Sequence, residues 1–155
     1  MCSLRNVAGN GVGVVGEWLF YLDEKLIHRE NNLVVQTGLS YLAGLLIAET
    51  TNNVSMHLAL GTGTAVPILA DNRLATEGAR KAVSAKTRQA NTVRLRTFFL
   101  PTEVNQTWRE FGIFLAGTDV SNSGILLNRI APTGGISKTS NQTLTIETRI
   151  IFAAG

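Results

Sequence analysis

Two histidines, one cysteine and two glycine-rich runs are the places where this 155-residue chain could do chemistry. A general base needs a partner held against it, and a nucleophile needs both a base and an orienting acid. His28 lies between Lys25 and Arg29 in a strand-like run, and His57 lies within Met56-His-Leu-Ala-Leu60, so strand formation accounts for both. The run Gly61-Thr-Gly-Thr64 leads into Ala65-Val-Pro67 rather than the Gly-Lys-Ser/Thr of a phosphate loop. Gly11-Val-Gly-Val-Val-Gly16 has the dinucleotide-fingerprint spacing. The next residues are Glu17-Trp-Leu-Phe-Tyr-Leu22, aromatic and strand-like where that motif requires a helix. Cys2, the only cysteine, allows no intrachain disulfide and no thiolate cluster, and metal-ligand spacing is missing. The expectation is a protein that is not an enzyme, with no catalytic residue, no cofactor and no metal.

Charge offers a second kind of chemistry. The net charge is only +3, yet Arg73, Arg80, Lys81, Lys86, Arg88, Arg94 and Arg96 are half of the fourteen basic residues. With a turn at Gln89-Ala-Asn91, strand parity puts Arg80, Lys86, Arg88, Arg94 and Arg96 on one outward face, a candidate partner-contact face. Such a face can meet an acidic subunit, phosphate or water. Single-strand binders interleave aromatic residues with the cations, and only Phe98 shares this parity, so nucleic acid is the weaker reading.

The elements that carry these residues are mostly strands. Met56, Leu58 and Leu60 alternate with His57 and Ala59, and the strand should end at Gly61. Gly61, Thr62, Gly63 and Thr64 read as a structural turn, in which the glycines take conformations closed to other residues and the threonines bond the turn's amides. Further strands are expected over 17–22, 25–36, about 79–87, 92–100, 107–116, 125–131 and 143–152, with Asp23-Glu24-Lys25 as a turn and a bulge at Asn31-Asn32. Both parities of 107–116 are apolar, as in a strand covered on both faces or packed by a partner. Thr37 to Glu49 is the one helix, capped by Thr37 and apolar around much of its circumference, hence buried. The resulting fold class is mainly β: an antiparallel β-sandwich of about seven or eight strands with one buried helix at about 37–49. Residues 17–155 form a single domain, long enough to bury a core unaided. Residues 1–16 form a flexible or extended assembly arm, with Val12, Val14, Val15 and Trp18 as its contact residues.

Three stretches in order carry a family resemblance. Ala59-Leu-Gly-Thr-Gly-Thr64, succeeded by Ala65, Pro67, Asp71-x-x-Leu74 and the basic pair Arg80-Lys81, resembles small tail-fibre, collar or baseplate proteins of tailed bacteriophages. Asn32-Leu-Val-Val-Gln-Thr-Gly-Leu-Ser-Tyr-Leu-Ala43 is similar to that family's passage from strand to short apolar helix. Thr107-Trp-Arg-Glu-Phe-Gly-Ile-Phe-Leu115 is similar to its Arg-Glu-x-Gly-Leu-Phe strand. The resemblance covers roughly residues 30–130 and implies a virion structural part with no catalytic residues to carry over. The segment around Trp18 and the lack of a long fibrous extension depart from it.

The expected function is that of a bacteriophage virion structural protein, a tail, baseplate or tail-fibre component acting through symmetric assembly. Its partners would be copies of itself and other tail, baseplate or collar proteins. The alternatives are a capsid decoration or head-to-tail collar protein, or a nucleic-acid-binding module. No membrane span or signal peptide is legible, as suits a virion protein assembled in the host cytoplasm. The charged fraction of 16% is low, consistent with an exterior partly covered by partners.

Overall fold

A computed structural model describes residues 11–50 and 55–154. The fold is mainly β with one helix, as the alternation in the sequence requires. The strands are β1 (Val12–Leu22), β2 (Lys25–Val34), β3 (Met56–Gly61), β4 (Glu77–Ala82), β5 (Ala85–Gln89), β6 (Thr92–Phe99), β7 (Thr107–Trp108), β8 (Glu110–Leu115), β9 (Ile125–Ile130), β10 (Ile136–Ser137) and β11 (Leu144–Ala154), and the helix α1 is Gln36–Leu46. Nine of these strands form one antiparallel sheet in the order β4-β3-β8-β9-β2-β1-β11-β6-β5, and β10 pairs with β7 in a short ladder of its own.

This single sheet curls until its halves face each other. β2 is the shared element: Lys25 to Asn32 pair with β1, then Leu33 and Val34 pair with Arg129 and Asn128 of β9. Asn31-Asn32, expected as a bulge, is thus where the strand leaves one half for the other. The bulge itself lies nearer the hairpin, where the pairing shifts between Phe20 and Tyr21. Asp23 and Glu24 both have positive φ and close that hairpin tightly, which matches the right-handed twist of the flanking strands. The two edge strands, β4 and β5, are consecutive in the chain with only Val83 and Ser84 between them. The curl therefore brings the ends of the sheet together at one corner, where the Val83 amide donates to Met56 and the Ser84 amide to Arg96.

The core lies between the halves. Trp18 and Phe20 of β1 meet Phe111 of β8, with ring centroids 6.2 and 4.8 Å apart. Along β11 the alternation holds: Leu144, Ile146, Thr148 and Ile150 are buried, with Glu147 and Arg149 on the opposite face. The half made of β3, β8 and β9 is buried on both sides. Its inner face supplies Leu58, Leu60, Phe111 and Ile113 to the main core, while its outer face carries Ala59, Phe114 and Leu126 in a second cluster with Leu74 and Val35. Leu74 belongs to the long crossing between β3 and β4, which folds back over that face. The two-sided apolar pattern of 107–116 is therefore explained within the chain.

Two boundaries differ from expectation. The helix starts at Gln36 with Val35 at its N-cap and no side-chain cap bond, because the Thr37 hydroxyl donates instead to the Leu126 carbonyl. The helix lies on the sheet rather than within it: Gly38, Tyr41 and Gly44 are buried, but Leu46 and Ile47 are 89% and 71% exposed. The expected arm also needs correction. Residues 12–16 belong to β1 and pair with β11 from Val12 opposite Ala154 onward. Residues 1–10 lie outside the described residues.

The loop after β6 is held by charge. Lys81 bonds both oxygens of Glu103, whose carboxylate also accepts the Leu100 amide. The bond from Lys81, then that from Leu100, holds the Glu103 carboxyl below its ordinary value of 4.5. A carboxyl with a depressed folded pKa stabilises the protein above its unfolded pKa, and that stability is lost as pH falls through the folded value. The gap in melting temperature between the native chain and Glu103→Gln should be constant near neutrality and close progressively as pH falls below 4.5. A gap that does not change with pH would contradict the assignment.

Candidate functional site

The Gly-Thr-Gly-Thr turn is built around a carboxylate that lies 46 positions further on from Thr64, at Glu110. Glu110 opens β8 on its outer face, opposite Gly61, and is fully buried. Its Oε1 accepts the amides of Gly63 at 3.0 Å and Thr76 at 2.6 Å, and its Oε2 accepts the amide of Ala75 at 2.9 Å. Arg129 of β9 donates through Nε and Nη2 to Oε2 at 3.1 and 2.8 Å. Arg129 also binds Asp71 Oδ2 at 2.9 Å and the Ala65 carbonyl at 2.9 Å. One carboxylate and one guanidinium thus fasten both ends and the middle of the crossing to the sheet. Each buried charge finds hydrogen bonds that offset the loss of water.

This centre changes the reason for the glycines. Neither Gly61 nor Gly63 has positive φ; the positive-φ glycines among the described residues are Gly124, Gly134 and Gly135. A Cβ on Gly61 would stand 2.5 Å from Glu110 Oε1 and from the Thr76 carbonyl, and a Cβ on Gly63 would collide with the same carboxylate. The turn needs glycine for close approach. Its bonds come from backbone amides, including that of Thr62 to the Thr76 carbonyl, rather than from the Thr62 and Thr64 hydroxyls. The centre supports structure: Glu110 is fully buried, and both of its oxygens are taken up by donors from the crossing and from Arg129.

The predicted basic face divides. Gln89 faces Thr92 across a two-residue turn, one residue shorter than expected, so even-numbered residues of β5 sit opposite odd-numbered residues of β6. A one-residue change in register moves every side chain to the other side. Lys86 and Arg88 therefore share the side of Leu95 and Val93, while Arg94 and Arg96 stand on the opposite, outer side. Arg80 leaves the group altogether. Its side chain is buried, paired with Glu77, bonded to the Thr118 and Ser123 carbonyls, and set 4.6 Å from the Phe114 ring centroid.

Arg94 and Arg96 instead join a row of charges across four strands. Arg29 donates to Glu17, Arg149 bridges Glu17 and Glu147, and Arg96 reaches Glu147 at 3.1 Å. The hydrogen bond that Arg149 donates to Glu147 holds the Arg149 pKa above its ordinary value. Arg94 lies opposite Arg149 and its Nε is buried with no hydrogen-bond partner among the described residues. This row is not legible in the sequence, because its two acids come from strands about 130 residues apart, Glu17 and Glu147.

The histidines stay apart. His28 bonds Glu30 at 2.8 Å, and His57, nearly buried, reaches the exposed Asp119 at 3.3 Å. No serine or cysteine joins either pair in the bonding network of the described residues, and there no group of three or more His, Cys, Asp or Glu could hold a metal. No helix among them is long and apolar enough to cross a membrane.

Of the proposed arm residues, Trp18 is fully buried in the chain's own core and Val14 packs against that core. Val12 is 77% exposed. Beyond Gly16 opposite Asn32, β2 no longer accompanies β1, so no described strand pairs with Val12–Val15 on the side away from β11. Comparison with protein-family models, with curated proteins and with solved structures finds no match for this chain.

Proposed function

We propose that this chain is a structural protein of a tailed-bacteriophage particle, placed in the tail or baseplate, and that it acts by binding copies of itself and neighbouring virion proteins rather than by catalysis. The phage assignment rests on the ordered resemblance of the three sequence stretches. Self-assembly is supported chiefly by the edge of β1 at Val12–Val15, with which no described strand pairs on the side away from β11. A strand edge presents unpaired amides and carbonyls, and stable proteins blunt such edges with charge, proline or a bulge. Val12-Gly-Val-Val15 has none of these. The occupant we assign is the same segment of a second copy, pairing antiparallel about a two-fold axis. A collar or capsid-decoration position would use the same contact. The nucleic-acid reading loses support, since the cations expected on one face are divided between two sides and one is buried.

The phage assignment is tested by purifying particles from cells that produce the protein and quantifying it by mass spectrometry. A fixed copy number that survives high-salt washing is expected. Recovery of the protein only outside the particles would overturn the assignment.

A further inference from the structure

An open cleft of about 730 Å³ lies on the outer side of the half formed by β1, β11, β6 and β5. Its floor is one cross-strand row, Tyr21 opposite Thr145 opposite Phe98, and Arg96 stands in the next row. One wall is the hairpin turn Asp23-Glu24 with Thr143; the other is Ser84 and Ala85 where the chain crosses between the sheet edges. Phe98 is 42% exposed although an aromatic ring usually finds cover. The two rings are two strand spacings apart, roughly 10 Å, with a hydroxyl between them.

From this arrangement we infer that the cleft is a binding site for a neutral saccharide. Its size falls in the range of small-ligand sites, and it combines apolar faces with a few convergent polar groups. The C–H faces of a pyranose match the Phe98 and Tyr21 rings, while its hydroxyls require planar groups able to donate and accept in pairs. Arg96 supplies donors: its Nε is engaged by Glu147, and its terminal nitrogens have no partner among the described residues. Glu24 supplies an acceptor that makes no bond there, whereas Asp23 is taken up by the Thr143 amide and hydroxyl. A nucleic-acid strand fits poorly, because Asp23 and Glu24 would stand against its phosphates. An apolar ligand would leave this polar rim without partners. The inference does not depend on self-assembly, because the cleft is formed within one chain.

Saturation-transfer difference NMR on the full chain tests it, with methyl glucoside, methyl galactoside, N-acetylglucosamine and their β-linked disaccharides as probes. At least one sugar should receive saturation on its ring C–H protons. The signal should fall about tenfold in Phe98→Ala and persist in Phe98→Tyr, each checked for native amide dispersion. A distorted Phe98→Ala spectrum would move the comparison to Glu24→Gln, at an exposed turn, where the same loss is expected. No transfer to any sugar, equal transfer in the variants, or transfer only to a thymidine oligonucleotide would overturn the inference.

Discussion

Replacing Glu110 by Ala is expected to destabilise the fold by about 3–5 kcal/mol, because it leaves the buried Arg129 guanidinium without its main counter-charge. Three backbone amides of the crossing, those of Gly63, Ala75 and Thr76, lose their acceptor in the same step. The crossing covers the second core cluster, so Leu74 and the outer face of β3, β8 and β9 would gain access to water. Urea denaturation monitored by circular dichroism should show the midpoint falling. The double change Glu110→Leu with Arg129→Met should cost much less than the two single changes added together, because it removes both charges at once. A loss below about 1 kcal/mol for Glu110→Ala would mean that water or another group replaces the carboxylate without difficulty.

Trp18→Ala is the second large effect, with an expected loss of about 3–5 kcal/mol from deletion of a fully buried aromatic side chain. The ring touches Phe20 of its own strand and Phe111 of the facing half. The cost should therefore appear in the unfolding of the isolated chain at any protein concentration. If Trp18 belonged to an arm lying on a neighbour, the change would weaken association and leave the isolated chain as stable as before. Comparing unfolding midpoints at two protein concentrations separates these outcomes.

The parts of the fold that the sequence discloses are those where one face of an element differs from the other. β11 shows this, with Leu144, Ile146 and Ile150 buried between less buried neighbours, whereas Met56–Gly61 is found as a strand but is buried on both faces, because the crossing that carries Leu74 covers its second side. The helix is visible from its apolar run, but its exposed end is not, since Leu46 and Ile47 carry no mark that separates them from core residues. The strand count and the single curled sheet depend on which strands pair. That is decided by contacts such as Trp18 with Phe111, which are remote in sequence. The basic face fails for a local reason, a turn shorter by one residue at Ala90-Asn91. The site at Glu110 has only a faint sign: Arg129 is the one charge in the run Ile125 to Ala131 and a buried charge calls for a partner, but Glu110 stands beside Arg109 and nothing in the sequence marks it as that partner. Nothing local links them to Gly61 and Gly63. For residues 12–16 the arm reading does not hold, because a glycine-rich run can still be a strand of the sheet: Val12 to Gly16 pair with β11, and at Gly16 the Asn32 side chain of β2 fills the place of a Cβ.

The edge of β1 that no described strand covers joins the fold to its proposed role. Light scattering of the full-length chain across a range of concentrations, beside Val12→Lys, examines that edge without touching the core, because Val12 is exposed. The native chain should have a mass at least twice the 16.7 kDa of one chain, and the variant, with an unchanged circular dichroism spectrum, should shift towards a single chain. A native protein that stays at 16.7 kDa at every concentration, or a variant that assembles as the native chain does, would contradict self-assembly through this edge.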